Sequence, residues 1–157
     1  MNKTIATLTA SLILVSIALA TPKRLTNFDG LMKALNMGNT VNLVLDYGKM
    51  KLKVGEEFVE SPKAIGGMAF TPWEYFAKGV INNEKAYVVS SETHLITSRK
   101  YGYVYNYVRV RIFEDQKVEI NARYMTTDKY ETVMDETFYS EISNGKDEKG
   151  VGIFIKP

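Results

Sequence analysis

The chain has 157 residues, of which 45% are hydrophobic and 11% aromatic, and its 20 basic against 18 acidic residues leave a formal net charge of +2 at pH 7. This composition excludes an intrinsically disordered chain and lacks the basic excess that marks a nucleic-acid binder, so no nucleic-acid partner is expected. With no cysteine and a single histidine, His94, thiol nucleophiles, iron–sulfur clusters and cysteine-based zinc sites are excluded. Neither a cofactor nor a metal is expected, and a Ser-His-Asp triad has little material.

Met1-Asn2-Lys3 gives a short, singly charged start, and the apolar run from Ile5 to Leu19 ends in Ala18-Leu19-Ala20. That order predicts a secretory signal peptide over residues 1–20, cut before Thr21, because small residues at Ala18 and Ala20 suit a signal peptidase. The run is interrupted by Thr7, Thr9, Ser11 and Ser16 and no stop-transfer charges follow, so no permanent membrane anchor is expected after leader removal. Removing Lys3 takes 20 basic residues to 19 against 18 acidic ones, a nearly neutral mature chain. Residues 21–157 suffice for one domain with a core, held by packing alone, in a secreted periplasmic or extracellular protein.

The first predicted element is a helix near Asn27 to Met37. Thr26 and Asp29 can form a capping box, Phe28, Leu31 and Leu35 recur on one face, and Gly38 offers a left-handed stop. After Asn39 the period changes to two. Val41 to Tyr47 and Met50 to Val54 read as two strands, or as one strand bulged at Gly48. Glu56 to Lys63 reads as a polar connection, Ile65 to Phe70 as a glycine-rich bent strand, and Trp73, Tyr75 and Phe76 as a compact aromatic cluster after Pro72. Further strands are predicted at Ala86 to Ser90, His94 to Ser98, Tyr103 to Phe113, Val118 to Tyr124, Tyr130 to Ile142 and Val151 to Ile155. No crossover helices follow Gly38, which argues against a parallel α/β fold. The expected class is mainly β (α+β): a single antiparallel β-barrel or sandwich of about seven to eight strands with one N-terminal helix.

The clearest functional pattern lies on the strand from Tyr103 to Phe113. Val104, Val108, Val110 and Ile112 face one way, and Tyr103, Tyr105, Tyr107, Arg109 and Arg111 the other. Matching apolar faces with the next strand sets Ile112 beside Val118 and Arg111 beside Glu119, across a connection from Phe113 to Lys117. Tyrosines ending in arginines can stack on a flat ligand or sugar and pair with an anion. They also serve as ordinary sheet cover, with Arg111 and Glu119 as a cross-strand pair. Trp73 is a binding-lip candidate or a core plug.

Among acidic residues, Asp135 and Glu136 are successive on a strand and point to opposite faces, so they cannot jointly flank a substrate. Asp46 suits a strand end that fixes a turn, Glu74 accompanies the aromatic cluster, and His94 is a candidate acid–base residue.

Together these strings resemble the VirK protein family: Leu31 to Val41, Leu45 to Met50, Ala64 to Met68, Tyr101 to Glu114 and Val133 to Phe138. The resemblance implies a small exported protein in a host-interaction setting, of a family without an established activity. Proteins similar to this one often carry cysteine where Met50 stands and sometimes another near Ser140, which implies a bridge that this chain replaces by packing. The expected function is a secreted or periplasmic non-enzymatic domain. It would bind an unknown small molecule, glycan or host protein through Tyr103, Tyr105, Tyr107, Arg109, Arg111 and Trp73. The alternative is a small exported isomerase or hydrolase using His94 and a carboxylate.

Overall fold

Asn27, rather than Thr26, starts the helix. Its side-chain Oδ1 accepts from the Gly30 N–H at 2.7 Å, which satisfies one of the donors left free in the first turn. From there α1 (Phe28–Asn36) buries Phe28, Leu31, Ala34 and Leu35 on one stripe. Gly38, with φ of 75°, takes the left-handed conformation that ends it. The structure, a computed structural model, describes residues 21–156, so the leader read at residues 1–20 lies outside the described residues.

The strands are β1 (Lys23–Leu25), β2 (Val41–Asp46), β3 (Lys51–Val54), β4 (Glu57–Val59), β5 (Ile65–Ala69), β6 (Trp73–Phe76), β7 (Tyr87–Ser98), β8 (Gly102–Phe113), β9 (Lys117–Thr126), β10 (Thr132–Glu141) and β11 (Val151–Ile155). They form two antiparallel sheets. The smaller has four strands in the order β1-β11-β2-β5, and the larger has seven in the order β4-β3-β10-β9-β8-β7-β6. Among the described residues the fold is therefore mainly β with one helix, as expected, but the single closed barrel or sandwich of fewer strands is not what forms.

The correction starts at Tyr47–Lys49. These residues make a single 3-10 turn rather than a bulge, and the chain leaves the smaller sheet at Asp46 and enters the larger at Lys51. A bulge would have kept both segments in one strand. Three strands escape the sequence pattern. Every residue of β4 is exposed, β1 is only a short N-terminal edge, and β6 is an edge strand within the aromatic cluster. The two strands expected at Ala86 to Ser90 and His94 to Ser98 are one, β7, paired with β8 without a break from Tyr87↔Phe113 to Ser98↔Gly102. Its second half is largely exposed on both faces, so ladder pairing rather than apolar alternation carries it.

One buried cluster joins all three layers. Leu43, Leu45, Val151 and Ile153 come from the smaller sheet, Val88, Val110, Ile120 and Phe138 from the larger, and Leu31 and Leu35 from the helix. The helix start is tied to the β8–β9 turn, where the Phe28 N–H donates to Gln116 Oε1 at 2.8 Å. Among the described residues the opposite face of the larger sheet carries no further layer, and it presents the tyrosines and arginines.

Candidate functional site on the outer face of the larger sheet

Strand β8 alternates as its sequence requires. Val104, Val108, Val110 and Ile112 are buried, whereas Tyr103, Tyr105, Tyr107, Arg109 and Arg111 line the other side. The predicted register holds, with Arg111 opposite Glu119 and Ile112 opposite Val118. Arg111 Nη2 lies 2.7 Å from Glu119 Oε1, and its guanidinium sits 5.9 Å from the Tyr87 ring centroid.

The row divides into two regions. At the far end Tyr103 is 68% exposed. Tyr105 stacks nearly parallel on Tyr130, with centroids 5.8 Å apart. Near the core, Tyr107, Arg109 and Arg111 enter a groove of about 360 Å³ shared with Glu74, Phe76, Tyr87 and Ser91. Strand β6 makes its second wall. The pairs Glu74↔Val89 and Phe76↔Tyr87 bring these side chains to the same face as the arginines, and Phe76 stacks on Tyr87 at 5.1 Å.

Arg109 differs from Arg111 in its surroundings. It forms no ion pair among the described residues, while its neighbours Arg111 and Arg123 hold Glu119 and Asp135. Its Nε is enclosed without a hydrogen-bond partner, as are the Nε of Arg111 and Oδ1 of Asn121, Arg109's partner on β9, so the missing carboxylate is what sets Arg109 apart. Arg109 is half-buried, and no carboxylate among the described residues pairs with its guanidinium, which leaves the group able to take an anion from outside the chain. Glu74, across the groove, likewise makes no ion pair among the described residues.

Trp73 stands apart from this set. It pairs with Ser90, whose side chain is buried, and it packs against the core cluster. It lies on the other face of the sheet as a core plug and does not join the tyrosine row. The groove's second wall was illegible because Trp73-Glu74-Tyr75-Phe76 reads as an apolar cluster. A period-two reading, with Glu74 and Phe76 on one side, would have found it.

The remaining candidates divide as their strand positions dictate. Asp135 is on the outer face, 3.0 Å from Arg123 Nε and 2.8 Å from Asn121 Nδ2. Glu136 faces the core side opposite Ala122, where burial pushes its carboxyl above the usual range. Asp46 closes β2 beside the turn, 3.6 Å from Lys49 Nζ. His94 Nε2 lies 3.3 Å from Glu92 Oε1, but its side chain is 61% exposed. Near them Tyr47 has its phenol pushed up, first by burial and then by the charge of Glu92. Among the described residues no group of three or more histidine, aspartate and glutamate side chains could hold a metal ion, and no helix is long and apolar enough to cross a membrane.

No curated protein sequence matches this chain. A crystal structure of a VirK family protein from Legionella pneumophila is similar to it with a TM-score of 0.63 and 14% identity, over 83% of this chain and 98% of that one. At that identity the likeness speaks for the fold. The sequence model of the VirK protein family matches residues 24–130, a span that takes in the helix, the sheet crossing at Tyr47 and the whole tyrosine–arginine row. With the match running through both sheets, this chain belongs to the VirK family.

Proposed function

We propose that this is an exported, non-enzymatic binding domain that holds a small molecule, glycan or host protein on the outer face of its larger sheet. A secreted periplasmic or extracellular location follows from the leader read at residues 1–20, and a host-interaction or virulence setting from the resemblance. The observation that carries the binding reading is Arg109, a guanidinium without an acidic partner among the described residues, set in a groove with Tyr107. Specific binding to the folded state raises its stability by about 2.7 kcal/mol at a ligand concentration one hundred times Kd. Thermal-shift screening of the purified protein against small molecules, glycans and candidate host proteins is the test. The expected outcome is a shift for the parent that Tyr107→Ala and Arg109→Ala abolish. A ligand that shifts both variants as much as the parent would remove the assignment of this face.

The 3.3 Å approach of His94 to Glu92 supports a second reading, a small exported hydrolase or isomerase with that acid–base pair. An exposed histidine lacks the water-excluding surroundings that such chemistry uses. Turnover of any ester, glycoside or peptide substrate that His94→Gln abolishes would establish it over the binding reading.

A further inference from the structure

We infer that the groove between β6 and β8 is a site for a small polyhydroxylated oxyanion, a sugar acid or sugar phosphate, whose anionic group is held by Arg109 and whose hydroxyls are held by Glu74 and Ser91. This inference rests on the outer-face reading above and assigns its ligand chemistry.

The unpaired charges of the groove select the ligand's groups. Arg109 and Arg111 line it with one carboxylate, Glu74, and with Glu119 answering Arg111 the charges left for a ligand are Arg109 and Glu74. Arg111 is engaged by Glu119 at 2.7 Å, so Arg109 is the cation free to take an oxyanion, and its planar fork matches carboxylate and phosphate geometry. A free anion alone would leave Glu74 to water. Glu74, exposed on β6, is acceptor-only when ionised, and a ligand's donors can replace the water around it. Hydroxyl groups supply such donors without adding charge.

The remaining walls agree with a sugar-sized body. Tyr107, Phe76 and Tyr87 give ring surface, Ser91 gives an exposed hydroxyl, and about 360 Å³ is at the small end of ligand pockets. Phe76 and Tyr87 are fixed against each other at 5.1 Å, so the ring surface is formed in advance and costs little to order on binding.

Isothermal titration of the purified protein with glucuronate, glucose 6-phosphate, glucose and inorganic phosphate tests the assignment. Glucuronate or glucose 6-phosphate binds, glucose and inorganic phosphate bind at least tenfold more weakly, Arg109→Ala weakens the anionic sugar by tenfold or more, and Glu74→Gln weakens it severalfold. Arg109→Lys, which keeps the charge but loses the fork, falls between. Circular dichroism of each variant, with Leu95→Ala on the same face as a control outside the groove, separates loss of binding from loss of fold. Failure of both anionic sugars, equal binding of glucose or inorganic phosphate, or full affinity in Arg109→Ala overturns the inference. If both sugars fail while another ligand's thermal shift is abolished by Tyr107→Ala and Arg109→Ala, only the ligand chemistry is overturned and the outer face stands.

Discussion

Glu136 carries a cost that pH can reveal. It sits on the core side of β10, between Ala122 and Val54 in the ladder, and burial raises its pKa from the ordinary value of 4.5. The unfolded glutamate gives up its proton first as pH rises, near that ordinary value. Between that value and the folded pKa the folded state holds more protons, so stability falls as pH rises through this window and the cost is complete above the folded pKa. Glu136→Gln is therefore expected to be more stable than the parent at pH 7, with the gain shrinking below about pH 4. Urea denaturation at both pH values checks it, and an unchanged difference between them would contradict the account. Asp115 has the opposite sign. The hydrogen bond from Lys85, at 2.6 Å, lowers its pKa, so the stability it contributes is present above the unfolded value and lost as pH falls through the folded one.

At the scale of elements, what could be read in advance depended on whether one face of a segment had to be buried. Strands β8 and β9 both alternate apolar and polar residues, and a one-residue slip would turn Val110 and Ile120 outward, so the register at Arg111 and Glu119 was legible. The second half of β7 has no buried face to encode, and β4 has no buried residue at all. The site was legible in the same measure: the tyrosine–arginine row lies within one strand, whereas Glu74 reaches Arg109's groove only through the docking of an edge strand. The β3–β10 ladder allows a sharper test. Its last pair is Lys51↔Tyr139, and one further step in the same register sets Met50 opposite Ser140. Both converge on Gly150, whose N–H donates to Ser140 Oγ at 2.9 Å and where an added Cβ would meet Met50 Cγ at 2.7 Å. Opposed antiparallel residues have Cα atoms about 4.5–5.5 Å apart, inside the range of about 4.4–6.8 Å that a disulfide spans. Met50→Cys combined with Ser140→Cys is expected to oxidise and, through the long loop it closes, to add up to about 4–5 kcal/mol before any strain. Thiol titration and reduced-against-oxidised melting read this out, and thiols that stay free under oxidation would show that the register stops at Tyr139.

For the whole molecule, alternation states which side of a strand is inside and leaves its sheet undetermined, so a barrel and a pair of sheets write the same pattern. The decision lies in the crossings. The 3-10 turn at Tyr47–Lys49 and the long β10–β11 connection pass the chain between sheets, and the Asp46 N–H bonds the Gly150 carbonyl at 2.8 Å where they meet. The two sheets nevertheless share one core. Val41, Leu43 and Ile153 from one and Val88, Val110 and Ile120 from the other belong to a single buried cluster with Leu31 of the helix, so neither sheet has an apolar core of its own. A shared core makes unfolding cooperative, because exposing one sheet strips the inner face of the other. Trp73, the single tryptophan, reports on this directly, since it lies on an edge strand of the larger sheet and packs against the common cluster. Its fluorescence and the far-ultraviolet circular dichroism of all strands are expected to change at the same urea midpoint. Separate midpoints would mean that the sheets unfold independently, and that the open outer face around Arg109 is held by ladder pairing within the larger sheet rather than by the core beneath it.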